Sequence, residues 1–266
     1  KRLQSEQNVL YNDLLSWLFI QQKQYNKAFA QEKAIYRRTD GRYEGLENLA
    51  DIAIEEGELE DAREILLFLK ENIANEDVKL EAEQKLIKID IASASTVDAQ
   101  EAIKNRYEAI LDEYGQTPFT IPLQIDYAHY LAFNMEQPDA AITYLKKSLK
   151  SPLRRFDEAR LKMELADVLV LKEKFNQALI YYSQIQNKIK NNVISQEARF
   201  KVAQTSYYKA DFDWAEAQLN VLKAGATQLI ANDALELLLV IRDNSMDDSL
   251  QTALKKYATA SLRAYQ

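Results

Sequence analysis

A short helical hairpin recurs along the chain, and this recurrence constrains the fold more than any other feature. The hairpin is clearest in residues 197–222, where two amphipathic segments flank a polar turn. Its small and apolar residues follow a spacing of three and four: Val202, Ala203, Ser206, Phe212, Ala215, Leu219 and Leu222. One hairpin cannot bury such a face alone, but stacked copies can, so the sequence predicts a repeat array.

An alanine early in the second helix marks each predicted hairpin. These alanines are Ala28, Ala62, Ala102, Ala141, Ala178, Ala215 and Ala253. The successive intervals are 34, 40, 39, 37, 37 and 38 residues, which indicates a degenerate repeat with turns of unequal length.

The scarcity of turn-forming residues favours long helices. Only 5 Gly and 4 Pro occur in 266 residues, far fewer than a sandwich or barrel needs for its corners. The periodicity predicts an all-α chain of fourteen helices, from a first helix at 5–21 to a last at 247–265.

No linker interrupts the pattern, so residues 1–266 are expected to form a single array. The pattern still runs at Gln266, and we expect the natural chain to continue.

Aligned on these alanines, the hairpins resemble tetratricopeptide repeats (TPRs). The matching positions of the second hairpin are Leu46, Leu49, Ala50, Ala53, Gly57, Ala62 and Leu66; those of the fifth are Leu165, Ala166, Leu169, Phe175, Ala178 and Tyr182. The first, third and seventh hairpins match least. The resemblance implies a right-handed superhelical solenoid of about seven antiparallel hairpins. It also implies a non-catalytic scaffold that binds a peptide or protein partner along a concave groove.

Residues 211–214 and 229–234 resemble exported bacterial TPR proteins of the cell envelope. This likeness implies an extracytoplasmic location, in the periplasm or at the outer membrane, with possible peripheral association. A cytoplasmic location is left open.

Charge and composition argue against several other functions. A formal net charge of -7 disfavours nucleic-acid binding, which needs a basic surface. The chain has no cysteine and one histidine, His129, for which we expect a packed, hydrogen-bonded role rather than a metal or catalytic one. No cofactor motif is found, and the apolar run at 235–241 is too short to span a membrane. The sequence therefore does not predict an enzyme, although a hidden pair of carboxylates is not excluded.

The first helices of TPR hairpins line the groove, and in the second hairpin the groove positions are acidic. The predicted groove residues here are Glu44, Glu47, Asp51 and Glu55, with Ile54 beside them. Segment 43–64 carries nine acidic residues against Arg63, a net charge of -8. Such a face would steer a basic partner. The alternative is an acidic helix face that is merely solvated.

In the fourth to sixth hairpins the same positions combine aromatic and polar side chains. The predicted partner-binding residues are Tyr130, Asn134, Arg160, Asp167, Phe200, Gln204, Tyr207 and Tyr208, with Phe133 and Met163 beside them. Rings supply contact area at low entropic cost, and amides can hold a peptide backbone. The alternative is that several of these rings pack between repeats.

The sequence leaves two rival functions open. One is a structural spacer that docks neighbouring subunits through its convex or terminal surface, for which the basic segment 146–155 is a candidate contact. The other is the helical regulatory domain of an enzyme whose catalytic part lies elsewhere. The lysines with which co-chaperone TPR domains grip a carboxylate are missing from the corresponding groove positions.

Overall fold

The computed structural model describes residues 2–190, 192–245 and 251–266, with the side chains of 2–5 and of residue 224 left out. Within these residues the fold is all-helical, as predicted. The predicted helix boundaries agree with the observed ones to within about three residues, when the π-helical segment at 130–134 is counted with the helix before it. The predicted start of the last helix, at 247–250, lies outside the described residues.

The described residues form fourteen α-helices with short connections. They are α1 (Arg2–Gln21), α2 (Tyr25–Arg38), α3 (Glu44–Glu55), α4 (Leu59–Asn72), α5 (Glu76–Ser93), α6 (Val97–Tyr114), α7 (Ile121–His129), α8 (Pro138–Ser148), α9 (Arg155–Leu171), α10 (Phe175–Lys188), α11 (Val193–Tyr208), α12 (Phe212–Gly225), α13 (Gln228–Asp243) and α14 (Thr252–Tyr265). A 3₁₀ turn at Pro118–Thr120 precedes α7, and a π-helical segment at Tyr130–Asn134 follows it.

The chain divides into two compact units, which we call unit 1 (1–103) and unit 2 (104–266). In unit 1, α1 packs against α2 and α3 against α4. In unit 2, α7 packs against α8, α9 against α10 and α11 against α12. These are five of the seven helix pairs that the sequence predicts; α5–α6 and α13–α14 are not among the closely packed pairs of the described residues. The arrangement of 1–266 as one array stays a prediction.

The same kind of turn joins the two helices in each of these five hairpins. Each turn contains one residue with positive φ; in chain order these are Lys23, Gly57, Glu136, Glu173 and Ala210. Five residues later stands an alanine with 0% exposure, namely Ala28, Ala62, Ala141, Ala178 or Ala215. The left-handed residue lets the next N–H reach a carbonyl five residues back, as in the 2.8 Å bond from Glu58 N to Ala53 O. The turn therefore determines which residue of the second helix lies closest to the first helix. At that position only a small side chain fits between the paired helices.

The predicted register is wrong for Ala102 and Ala253, which are both exposed. The neighbouring residues Ile103 and Leu254 are buried instead. The α5–α6 connection at 94–96 has no residue with positive φ, so the count from turn to alanine does not apply there. The α13–α14 connection runs through residues outside those described.

Three residues join the helices in each of the five hairpins, but the hydrogen bond that closes the α7–α8 turn spans one residue more than in the other four. Gln137 N bonds to Leu131 O, six residues back, at 2.8 Å, and the extra residue is absorbed in the π-helical segment. Helical spacing read from the other hairpins therefore misplaces the side chains that follow His129.

The core of unit 1 contains a close approach that requires glycine. The carboxyl of Glu32 on α2 lies against Gly45 on α3, where an added Cβ would stand 2.0 Å from Glu32 Oε2. Glu32 is buried, and burial raises its pKa above the ordinary value for a glutamate. Gly45 thus positions a buried carboxyl beside α3.

Candidate functional site

The predicted acidic groove residues lie on α3 in unit 1, and we call Glu44, Glu47, Asp51 and Glu55 the acidic face. Glu44 and Glu55 are exposed, whereas Glu47 and Asp51 are half-buried. Lys85 of α5 lies among them, with its Nζ 2.6 Å from Asp51 Oδ1 and 2.8 Å from Glu81 Oε1. The acidic face is therefore partly neutralised.

Burial and neighbouring charges together shift pKa values at the acidic face. Burial, followed by the nearby Glu81, raises the pKa of Glu47. Burial acts to lower the pKa of Lys85, but the hydrogen bonds to Asp51 and Glu81 outweigh it and leave that pKa raised. The net charge of segment 43–64 does not include Lys85, because this lysine belongs to the next hairpin. Lys23, which pairs with Glu56, also lies outside that segment.

Beside the acidic face is a cavity of about 510 Å³. Its lining combines apolar side chains with charges of both signs: Asp51, Ile54, Glu55, Leu59, Lys85, Lys88, Ile89 and Ala92. Three predicted groove positions, those of Asp51, Ile54 and Glu55, thus border one concave site.

In unit 2, α11, α13 and α14 line a second cavity, open to solvent and of about 410 Å³, which we call the aromatic cleft. It is lined by Phe200, Gln204, Tyr207, Tyr208, Asp233, Glu236, Leu237, Val240, Tyr257 and Ser261. Four of these, Phe200, Gln204, Tyr207 and Tyr208, are predicted groove residues. The spacing rule therefore brings four side chains of α11 to one site.

Helix α14 supplies a wall of the aromatic cleft that the sequence reasoning missed. It packs against α11 and buries a stripe of Leu254, Ala258 and Leu262 at a spacing of four residues. Leu254 and Ala258 belong to the same apolar cluster as Tyr207 and Leu238. The spacing of this stripe is visible in the sequence, but the helix against which it packs is not.

The C-terminal end of α14 is held by α9. Tyr265 Oη donates to the carbonyl oxygen of Asp167 at 3.0 Å, and Gln266 Nε2 donates to the carbonyl oxygen of Leu171 at 3.0 Å. The ring of Tyr265 lies 5.8 Å from that of Phe133 and 6.0 Å from that of Tyr208. Two residues expected to face a partner, Phe133 and Tyr208, therefore contact the chain's own Tyr265.

Polar groups of the aromatic cleft remain without partners. Tyr207 is only 2% exposed, so its assignment to an open groove is corrected to a place in the wall of the cleft, and its buried hydroxyl makes no hydrogen bond. Burial raises the pKa of Tyr207, and the nearby Ser261 hydroxyl acts to lower it. The two hydroxyls do not reach hydrogen-bond geometry. The carboxylates of Asp233 and Glu236 are exposed at the rim.

The remaining predicted residues of unit 2 do not line the aromatic cleft. Tyr130 is 1% exposed and packs against Tyr107 with a centroid distance of 5.7 Å, so its assignment to an open groove is corrected. Met163 is also buried. Asp167 pairs with Lys201 at 3.1 Å, while Asn134 and Arg160 are exposed. The π-helical segment explains why Tyr130 turns into the core.

His129 is hydrogen-bonded, as expected, but only partly packed. Its Nδ1 lies 3.0 Å from Glu164 Oε1, its ring stacks on Phe133, and 56% of its side chain is exposed. The hydrogen bond to Glu164 raises the pKa of His129 against the opposing effect of burial. Burial in turn raises the pKa of Glu164. The pair joins α7 to α9.

The basic segment 146–155 lies at the end of α8, in the loop and at the start of α9. Lys146, Lys147, Lys150, Arg154 and Arg155 are all exposed.

Across the described part of the chain, no group of three or more His, Cys, Asp or Glu side chains is arranged to hold a metal ion. None of the described helices has both the length and the apolarity needed to cross a membrane.

Sequence comparisons give no match to a protein family or to a curated protein. Similarity of structure is extensive. A TPR protein from Parabacteroides merdae aligns with 95% of this chain and 99% of its own, at 12% identity and a TM-score of 0.56. A thermophilic TPR protein from Thermus thermophilus aligns over 76% of this chain and 98% of its own, at 15% identity and a TM-score of 0.50.

A third similar structure is part of a larger protein. The signal transduction ATPase with numerous domains from Pyrococcus horikoshii, which has a TPR sensor, matches 97% of this chain and 42% of its own, at 16% identity and a TM-score of 0.57. The structural similarity, together with the five hairpins that share one turn, shows that this chain has the tetratricopeptide-repeat fold.

Proposed function

We propose that the chain is a non-catalytic scaffold that binds a peptide or protein partner on the faces of its first helices. The observation that carries the proposal is the aromatic cleft, where rings of α11 and α14 border an open cavity of about 410 Å³. Ligand sites combine such apolar walls with a few polar groups that fix orientation. The acidic face of unit 1 supports a second contact, because exposed carboxylates steer a basic partner during association.

We also propose that this scaffold acts in the envelope of a bacterium. The support is the likeness of residues 211–214 and 229–234 to exported TPR proteins. Fractionation of the native host tests it: recovery with the periplasm or outer membrane is expected, and recovery with the cytoplasm would contradict it.

Site-specific photo-crosslinking in the native host tests the scaffold function. A benzoylphenylalanine is placed at Tyr257 in the aromatic cleft or at Glu55 beside the acidic face. Matched controls carry it at Ile180 on α10 or Trp214 on α12, which are both more than half exposed. Protein adducts at Tyr257 or Glu55, with none at the controls, are expected.

The same experiment decides between the scaffold and the spacer. Adducts confined to Ile180 and Trp214 would contradict binding on the first-helix faces and would favour docking through the opposite surface. A further substitution within 146–155, at the exposed Lys150, reports whether the basic segment makes the contact.

A further inference from the structure

Resting on the proposed scaffold function, we propose that the aromatic cleft binds an arginine side chain of its partner. Three features of the cleft point to this residue: unpaired carboxylates at the rim, aromatic walls, and a buried hydroxyl that lacks a partner.

The carboxylates give the cleft a negative charge that the surrounding protein does not neutralise. Asp233 and Glu236 stand three residues apart on α13, and so lie side by side. Among the described residues, no lysine or arginine lines the cleft or pairs with either carboxylate. Arg242, on the same helix, is already engaged by Glu216 at 2.7 Å. A cation supplied by the partner would form an ion pair with these two carboxylates.

The walls favour arginine over lysine. Phe200, Tyr208 and Tyr257 present rings to the cleft. A guanidinium is planar and weakly hydrated, so it stacks on aromatic faces and can still bind a carboxylate with two N–H groups. Leu237 and Val240 offer apolar surface to the methylene stem of the same side chain.

The buried hydroxyl of Tyr207 is an unpaired acceptor in the wall of the cleft. Its oxygen has no hydrogen-bond partner, and leaving a buried polar group unpaired is unfavourable. The hydroxyl of Ser261 already donates to the carbonyl oxygen of Tyr257 at 3.0 Å. A guanidinium has five N–H donors, so it can bind a rim carboxylate and keep a donor for Tyr207 Oη, which is covered in this structure and is reached only if the ring shifts toward the cleft.

Peptide titration followed by NMR tests the proposal on the full chain. The probe is acetyl-Ala-Leu-Arg-Leu-Ala-amide, and matched peptides replace its arginine by lysine or by citrulline, which is neutral and nearly isosteric. We expect the arginine peptide to bind about tenfold more tightly than the citrulline peptide, with the lysine peptide between them.

Two double variants identify the charges responsible. In Asp233→Asn/Glu236→Gln, the preference for arginine over citrulline is expected to disappear. The control Asp213→Asn/Asp243→Asn removes the same number of exposed charges from unit 2, at positions that do not line the cleft, and is expected to keep the preference. Loss of the preference in both double variants would overturn the inference, because the effect would then be one of net charge.

The outcomes separate this inference from the scaffold function. Equal binding of the arginine and citrulline peptides, abolished for both by Tyr208→Ala, would overturn arginine recognition and leave the cleft as the binding site. Absence of binding by every peptide would also overturn it, and the photo-crosslinking adducts would still decide the scaffold function on their own.

Discussion

In unit 1 the first-helix face of α3 carries four carboxylates with Lys85 among them, whereas in unit 2 the face of α11 carries aromatic rings against which α14 packs. The hairpins beneath the two faces have the same turn and the same buried alanine, as Gly57 with Ala62 and Ala210 with Ala215 show. The turn and the alanine therefore determine how paired helices pack. The outward residues of the first helix are free to take a different chemistry in each unit.

The largest expected effect tests the packing that the two units share. Ala62→Phe in unit 1 and Ala215→Phe in unit 2 place a ring where the side chain has 0% exposure, and each is expected to lower the free energy of unfolding by about 1–3 kcal/mol or more. Ala102→Phe and Ala253→Phe are matched controls at exposed positions, with an expected change within about 0.5 kcal/mol. Urea denaturation followed by circular dichroism measures all four, and equal losses at buried and exposed sites would contradict the register.

A second prediction concerns α14, the helix that packs on the face of α11 in unit 2. Tyr265→Ala removes the ring contacts with Phe133 and Tyr208 and the hydrogen bond to Asp167, and is expected to destabilise the docking of α14 by about 1–3 kcal/mol. Hydrogen exchange is expected to rise over 252–266 and to stay unchanged over 44–72. Tyr257→Ala, which removes a ring that is 57% exposed, is the control. Unchanged protection of α14 in Tyr265→Ala would contradict its anchoring.

The shared turn gives a reciprocal pair of smaller effects. Gly57 has a φ of 81° and Ala210 a φ of 62°, a region that disfavours residues with a Cβ. Gly57→Ala is expected to lower the free energy of unfolding by about 1 kcal/mol, and Ala210→Gly to raise it by about 0.5 kcal/mol, because the freer unfolded chain offsets part of the gain. Thermal and urea unfolding measure both; the same sign for the two variants would show that the turns differ.

The smallest expected effect is a pH dependence within unit 1. Burial raises the pKa of Glu32, so the folded state holds its proton more tightly than the unfolded state does. The resulting stability is complete below the unfolded pKa, near roughly 4.3, and is lost as the pH rises through the folded pKa. Glu32→Gln cannot ionise, so its melting temperature relative to the wild type is expected to increase from about pH 4 to about pH 7. Glu64→Gln, at an exposed position on α4, is the control. A difference that does not vary with pH would contradict the role of Glu32.

Much of this fold can be predicted from the sequence, because the alanine spacing and the scarcity of glycine and proline both report local structure. The positive φ of the turns could not be predicted, since Lys23, Glu136, Glu173 and Ala210 adopt it without being glycine. The sequence predicts which residues form the acidic face, but it overestimates the net negative charge there, because Lys85 reaches the face from the next hairpin.

The aromatic cleft shows the same limit. Helical spacing identified Phe200, Gln204, Tyr207 and Tyr208, which share one helix. It could not identify Asp233, Glu236 or Tyr257, which come from two other helices, since their approach depends on tertiary packing. For Tyr130 the π-helical segment broke the spacing on which the prediction relied.

The most direct test compares the two faces in binding to the partner that photo-crosslinking identifies. Surface plasmon resonance at two salt concentrations measures association and dissociation for Glu47→Lys/Asp51→Lys in unit 1 and Tyr208→Ala/Tyr257→Ala in unit 2. We expect the charge reversal to slow association in a salt-dependent way, and the loss of rings to speed dissociation about tenfold or more. If neither variant changes either rate while substitution of the lysines and arginines in 146–155 does, the first-helix faces are not the binding surface.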